Sequence, residues 1–377
     1  MFASLMGART PHAPRRRSSL SRRLLFGPAL VVAIACAGTY ARTYAQRAQP
    51  PVIEPAAVAQ LAGRVRAAAP TDAATAEEAL AAAYALLGAA RWADALTLFD
   101  ALVAQRPRDA AALYGAALAN FNLRRVAEAE PLARAAVAAA VDRAMSLTVG
   151  TAPVLRQRLA DALVLLAIIE AVKGDNAAAL ADAQRAVGVM PGHFDAQFTL
   201  GRALYGAGDP AAAAAAFRAA LAVRPQDARA QFFLATALER AGDEAGALAA
   251  YRALVAAQPA AAEGHTGLGV LLVKRGGADT EEGLSELRRA VALDADAYEA
   301  RVTLGRTLVQ QGRAAEAAEH LQRAAALAPN NPEPHYQLAL AYRRLGRAAE
   351  AAAESKLVRQ IHEARRQATA HAPTNPD

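Results

Sequence analysis

The chain has 377 residues, of which 54% are hydrophobic but only 5% aromatic, with alanine supplying most of the difference. This composition favours helices packed through small side chains over sandwiches and α/β sheets. The formal net charge is +7, but seven arginines lie in the first 46 residues, which hold no acidic residue and no lysine, so the remainder is formally neutral. Nucleic acid, which requires a basic face, is therefore not an expected partner.

The first 46 residues combine a basic run with an apolar segment at residues 24–41. The segment is intermediate between the apolar core of a cleaved leader, about 7 to 15 residues, and a membrane span of about 20. We therefore expect an export signal or a membrane anchor. Arg22 and Arg23 look like a twin-arginine export motif, and Cys36 leaves lipidation open. Each alternative places the body outside the cytoplasm, in a bacterial periplasm, with membrane contact only through this N-terminal segment.

A repeat follows residues 47–72, which are rich in Ala and Pro and are predicted to be a linker. Pro191, Pro225 and Pro259 are spaced by 34 residues. A turn with glycine lies midway through each unit, where it suits the left-handed end of one helix before the next begins. Each unit is therefore predicted to be two helices of about 12 to 15 residues joined by a tight turn.

Small and apolar residues recur at fixed positions in successive units. One unit carries Leu200, Gly201, Leu204, Gly208, Ala213, Phe217, Ala220 and Pro225, and the next carries Leu234, Ala235, Leu238, Gly242, Ala247, Tyr251 and Pro259. In this pattern the chain resembles the tetratricopeptide repeat family. The resemblance implies an all-α, right-handed α-α superhelical solenoid of about eight helix pairs. A small residue at each crossing would allow the two helices of a pair to approach closely.

The repeat frame predicts the organisation of the chain. Two units are expected at 73–141, an irregular insertion or extended helix that could form a hinge at 142–159, five units at 160–331, an eighth unit with a capping helix at 332–366, and a disordered tail at 367–377.

The sequence holds little material for catalysis. It contains no HExxH, CxxC, GxSxG or Walker-type motif, so we expect no enzyme activity, no cofactor and no metal site. His265 and His335 occupy equivalent places in two units but are 70 residues apart. We interpret them as edge residues and not as metal ligands, because several donors would have to converge on a metal.

The resemblance implies a concave groove lined by the first helix of each unit. The residues carried over to it are Tyr114, Phe198, Arg202, Tyr205, Phe232, Thr236, Arg240, Arg306, Tyr336 and Arg343. Aromatic and arginine side chains are typical of binding hot spots, so the expected ligand is an extended or helical segment of a protein partner. Several of the aromatic residues could instead pack between helices, because one-sided helical spacing also marks a buried stripe.

These observations predict an exported, non-enzymatic scaffold or adaptor that holds a protein partner in its groove. Envelope assembly and secretion are the processes that the fold and leader suggest by analogy. The alternative is an accessory protein that binds glycan or cell wall through Tyr and Phe side chains.

Overall fold

The fold consists of helices throughout the part of the chain that the structure describes. This computed structural model describes residues 53–145 and 152–370, and within those ranges it contains 17 α-helices and no strand. In chain order they are α1 (Pro55–Ala67), α2 (Ala73–Gly88), α3 (Trp92–Gln105), α4 (Ala110–Asn122), α5 (Val126–Met145), α6 (Ala152–Lys173), α7 (Asn176–Val189), α8 (Phe194–Ala207), α9 (Pro210–Val223), α10 (Ala228–Ala241), α11 (Glu244–Ala257), α12 (Ala262–Arg275), α13 (Asp279–Leu293), α14 (Tyr298–Gln310), α15 (Ala314–Leu327), α16 (Pro332–Arg344) and α17 (Ala348–Ala370). The all-α helical-repeat class predicted from the sequence is confirmed, and eight successive helix pairs follow α1.

The described helices belong to two compact units, which divide between Gly208 and Asp209. The first contains α1 to α8 and the second α9 to α17. The division lies between α8 and α9 and not within the hinge predicted at 142–159, of which residues 146–151 lie outside the described ranges. The predicted leader, residues 1–46, lies outside the described ranges. Within those ranges no helix combines the length and apolar character that crossing a bilayer requires.

Helix α1 corrects the linker predicted at 47–72. Its buried residues are Val58, Leu61, Ala62 and Val65, whose spacing forms a single apolar stripe. The helix packs on α3, and its C-terminal end is held by Gln105 Nε2, which donates to the Arg66 carbonyl oxygen at 2.8 Å. The prolines around this stripe favoured a linker, although the alanines there favour a helix.

Two other predicted segments can be compared with the structure in part. At 142–159, where an irregular insertion or an extended helix was predicted, α5 runs for 20 residues to Met145 and α6 for 22 from Ala152, while residues 146–151 lie outside the described ranges. Helix α17 continues to Ala370, so the disordered tail is wrong over 367–370. Ala and Gln, which favour helix, continue the helical sequence there. Residues 371–377 lie outside the described ranges.

A glycine forms the turn in most of the described helix pairs, and in some of them an aspartate follows it, whereas Ala90 and Arg124 take the left-handed conformation in the first two pairs. Gly242, Gly312 and Gly346 have φ angles of 86°, 81° and 72°, which side chains with a Cβ rarely adopt. After the first of these turns, the Asp243 carboxylate accepts a hydrogen bond from the Gly246 backbone N–H at 2.8 Å. The chain therefore ends one helix and caps the next within two residues.

Small residues set the distance between paired helices. A Cβ on Gly269 of α12 would lie 2.7 Å from Leu287 Cγ and 2.9 Å from the Gly283 backbone oxygen, both on α13. A Cβ on Gly305 of α14 would lie 2.5 Å from Leu321 Cγ on α15. Both leucines are completely buried, so the crossing offers no space for a larger side chain.

In five repeats, the residue at the fourth position of the first helix contacts the backbone of the preceding loop through a side-chain nitrogen. It lies within hydrogen-bonding distance of a loop carbonyl oxygen in five units: Gln197 with Pro191 (2.9 Å), Gln231 with Pro225 (2.8 Å), His265 with Pro259 (3.0 Å), Arg301 with Ala295 (2.7 Å) and His335 with Pro329 (3.1 Å). The two histidines are buried, so their interpretation as edge residues is wrong. They lie within hydrogen-bonding distance of loop carbonyl oxygens that would otherwise lack a partner.

We expect Gly269→Ala to lower the free energy of unfolding by about 1–3 kcal/mol, because the added methyl group overpacks the α12–α13 crossing. Urea denaturation followed by circular dichroism measures this change. Gly63→Ala in α1 is the control, since no atom lies within 4 Å of its Cβ position. That variant should gain roughly 0.5–1 kcal/mol from helix propensity. Equal stability of the two variants would contradict the close-approach explanation.

Candidate functional site

The second unit has an inner face formed by α10, α12, α14 and α16, the first helices of its pairs. Each of these helices packs on the next one, whereas the second helices, α9, α11, α13, α15 and α17, do not pack on one another to a comparable extent. An array whose first helices lie closer together curves towards their side. We define the inner face as the side that these four helices present.

The α10 part of the inner face is an aromatic cluster with two neighbouring hydroxyl groups. The Phe232 ring meets the Phe233 ring edge-on at 5.9 Å and the Tyr251 ring at 6.3 Å, measured between centroids. Thr236 donates to the Phe232 carbonyl oxygen at 2.9 Å and lies 3.3 Å from the Tyr251 hydroxyl. Phe232 and Thr236 are each half-buried. The two predicted residues are therefore adjacent, and they serve both helix packing and the accessible surface.

The other predicted residues of the second unit lie on open surface. Tyr336 of α16 is 52% exposed, and Arg240 and Arg343 are also exposed. Arg343 donates to the Ser355 hydroxyl at 3.1 Å. Arg306 of α14 is half-buried and makes no ion pair or hydrogen bond within the described part of the chain. Tyr336 and Arg306 can therefore contact a ligand without first breaking a strong internal interaction.

Acidic groups also belong to this face, and the selection from sequence missed one of them. Lys274 of α12 donates to Glu239 of α10 at 3.1 Å. Glu299, at the start of α14, is exposed, yet desolvation by the surrounding protein raises the pKa of its carboxyl, and the Glu239 charge raises it further. Glu299 occupies the second position of its helix, from which no groove residue was carried over. An acidic residue at this helix position was the sequence signal that could have identified Glu299 as part of the face.

The predicted site residues of the first unit do not form an open groove. Tyr114 and Phe198 are each only 1% exposed, so their assignment to a partner-binding surface is corrected to the core. All residues from Ala111 to Asn122 of α4 are buried. Arg202 and Tyr205 of α8 are half-buried. Periodic aromatic spacing could not distinguish these cases, because a core stripe and a binding stripe have the same period.

A buried Asp–His pair in the first unit has a structural explanation. His193 Nε2 lies 3.1 Å from Asp161 Oδ1, and His193 Nδ1 accepts a hydrogen bond from the Ala196 backbone N–H at 3.1 Å. Both ring nitrogens are therefore engaged, one in capping α8. Burial raises the pKa of the Asp161 carboxyl against the opposing effect of His193. Within the described ranges, no group of three or more His, Cys, Asp or Glu side chains could hold a metal ion.

The first unit also buries a carboxylate, Glu170 of α6, which is only 2% exposed. Its Oε1 accepts a hydrogen bond from Arg134 Nη2 of α5 at 2.8 Å. The same arginine pairs with Glu130 at 3.1 Å, and Glu130 also pairs with Lys173. Burial, followed by the nearby charge of Asp182, raises the pKa of Glu170 to about 7 despite Arg134. A group with such a shift is a candidate for function as well as for structure.

We expect Glu170→Gln to become increasingly stabilising, relative to the wild type, between pH 5 and pH 8. A carboxyl with a raised folded pKa favours folding most below its unfolded value of 4.5 and loses this contribution as the pH rises through about 7. The amide does not titrate, so the difference in unfolding free energy between variant and wild type should grow by about 2 kcal/mol. Urea titrations at several pH values measure it. A difference independent of pH would contradict the raised pKa.

Comparisons with known proteins agree with this geometry. The tetratricopeptide repeat profile matches residues 80–144 and 198–262, and a second profile, described as TPR repeat, matches residues 305–346. No curated protein sequence matches the chain significantly.

The chain is also similar to several solved structures. PilF of Pseudomonas aeruginosa is 15% identical with a TM-score of 0.50, over 55% of this chain and 94% of that one. A tetratricopeptide repeat protein of Parabacteroides merdae is 16% identical with a TM-score of 0.48, over 71% and 98%. YrrB, described as having an unusual peptide-binding site, is 19% identical with a TM-score of 0.39, over 48% and 91%. The described part of this chain is an all-α helical repeat, and three of its stretches match tetratricopeptide repeat profiles.

Proposed function

We propose that the protein is a non-enzymatic scaffold or adaptor that holds a segment of a protein partner on the inner face of its second unit. The observation that carries the proposal is the open, mixed surface of α14 and α16. Tyr336 exposes about half of its area, and Arg306 has no internal ionic partner within the described residues. An aromatic anchor and an available guanidinium suit a peptide with an apolar side chain and a carboxylate.

The charges of the inner face refine the expected partner. Arg306 can pair with an acidic side chain, whereas the raised pKa of Glu299 reflects a carboxylate whose charge is poorly compensated. A basic side chain near Glu299 would compensate that charge. The segment should therefore carry both signs of charge, with its acidic group directed to α14 at Arg306. Complementary charges of this kind determine orientation and selectivity more than total affinity.

Export completes the proposal and rests on the sequence. The basic run followed by the apolar segment 24–41 supports a leader or anchor, which would place the repeats in a bacterial periplasm. A role in envelope assembly or secretion would follow from that location. The alternative function, binding glycan or cell wall, is supported by the exposed Tyr336 ring, since an aromatic face can also bind a sugar.

The first experiment replaces Tyr336 with a photo-crosslinking amino acid in the native host and identifies the crosslinked segment by mass spectrometry. A second position, Arg289 of α13, is the control, because it is exposed on a helix that does not belong to the inner face. We expect one protein segment to crosslink from Tyr336 and not from Arg289. Equal crosslinking from both positions would argue against the inner face.

The second experiment measures the affinity of the identified segment, as a synthetic peptide, for Arg306→Glu. Reversing this charge should weaken binding at least about tenfold, equivalent to about 1.4 kcal/mol, with unchanged helical circular dichroism. Arg289→Glu should bind like the wild type. Undiminished binding by the Arg306 variant would refute the proposed contact. Retention on polysaccharide beads that Tyr336→Ala abolishes and Arg306→Glu preserves would favour the glycan alternative.

A further inference from the structure

The first unit contains a cavity separate from the inner face of the second unit. It is open to solvent, has a volume of about 590 Å³ and lies among α5, α6 and α7. Helices α5 and α7 each pack on α6 but not closely on each other, which leaves the space between them. Its lining includes the apolar Val137, Val141 and Leu166 and the charged Arg134, Asp142, Glu170, Asp182 and Arg185, and Arg185 pairs with Asp182 at 2.5 Å. The volume falls within the range of sites for small organic ligands.

Glu170 stands at a position of the repeat that is apolar in six of the other seven repeats. It is the eleventh residue of the third repeat, counted from Ala160. In six of the other units the corresponding residue is apolar: Leu86, Leu204, Leu238, Leu272, Leu308 and Tyr342. In the remaining unit it is Asn120, whose side-chain amide donates to its own helix at the Ala116 carbonyl oxygen. Glu170 is therefore the one charged residue at this position, and it lines the cavity.

Only one oxygen of the Glu170 carboxylate has a hydrogen-bond partner among the described residues. Oε1 accepts from Arg134, whereas Oε2 is buried and has no hydrogen-bond partner among the described residues. Asp182, Asp175 and Glu130 all act on Glu170 as nearby negative charges, opposed by Arg134. Arg134 itself is shared with Glu130. The site therefore lacks one hydrogen-bond donor and favours added positive charge.

We propose that this cavity binds a primary ammonium group on an aliphatic stem, with the ammonium donating to Glu170 Oε2 and the stem lying against Val137, Val141 and Leu166. A carboxylate ligand would add to the negative charges around Glu170, and an uncharged apolar ligand would leave Oε2 unsatisfied. A metal ion would require several converging ligands, and the described part of the chain offers no such group. A free alkylamine and the side chain of a lysine share the required chemistry.

The proposal is tested by calorimetry on the full-length protein at pH 7 with three probes. n-Butylamine represents a free amine, Nα-acetyl-lysine methylamide represents a lysine side chain, and n-butanol is the uncharged control. We expect saturable binding of at least one amine and none of butanol. Binding of butylamine alone assigns the site to free amines, whereas tighter binding of the lysine derivative assigns it to a side chain.

Measurements of amine binding by variants, and of the protons released on binding, distinguish a ligand site from a structural ion pair. Because the pKa of Glu170 is about 7, an ammonium that holds it ionised should release about half a proton at pH 7, measured in buffers of different ionisation enthalpy. Glu170→Gln should weaken amine binding at least tenfold and abolish this release, and Glu170→Leu, which restores the residue of the other units, should do the same. Glu128→Gln, exposed on α5 and outside the lining, should leave both unchanged.

Absence of saturable amine binding would overturn the proposal, as would equal affinity of butanol or binding that Glu170→Gln leaves intact. The cavity and the inner face belong to different units, so neither result depends on whether the second unit binds a peptide.

Discussion

The structure depends on how closely the two helices of each pair can approach. At the α12–α13 crossing, Gly269 faces the backbone of Gly283 and the buried side chain of Leu287, with no space for a methyl group. Small residues here replace the large interlocking side chains of a globular core, in keeping with the alanine-rich composition. Because each pair contacts mainly its neighbours, this short-range constraint, repeated every 34 residues or so, is sufficient to build an array.

The same constraint explains which features were predictable. Glycine turns and crossing residues are required by backbone geometry, so Gly242 and Gly269 signal their roles in the sequence itself. Exposure is not encoded in this way: Phe198 and Phe232 occupy equivalent positions, yet the first is buried and the second is half-buried. Helix α1 was missed for a related reason, since its short apolar stripe lies in an Ala- and Pro-rich segment whose composition resembles that of a linker.

Two explanations apply to the charged residues of the inner face: the helix dipole and contact with a bound partner. Glu299 at the start of α14 and Lys274 near the end of α12 lie where the helix dipole favours their signs, and this effect alone accounts for their residue types. The dipole should also favour the ionised form of Glu299, whereas desolvation and Glu239 raise its pKa. The environment therefore outweighs the dipole, which is the condition that a bound cationic group would relieve.

Glu170 extends this reasoning to the first unit. A leucine at the same position of the repeat would avoid the unfavourable burial of a charge, and six other units have an apolar residue there. The carboxylate is instead compensated in part by Arg134, which is itself shared with Glu130. A repeat array can tolerate one repeat with a buried charge, because the neighbouring repeats are stabilised by their own packing. The same repeat combines α6, the longest described helix of the first compact unit, with a cavity. An unfavourable group that opens onto space points to a ligand more than to a packing error, because stability alone would favour filling the cavity with an apolar side chain.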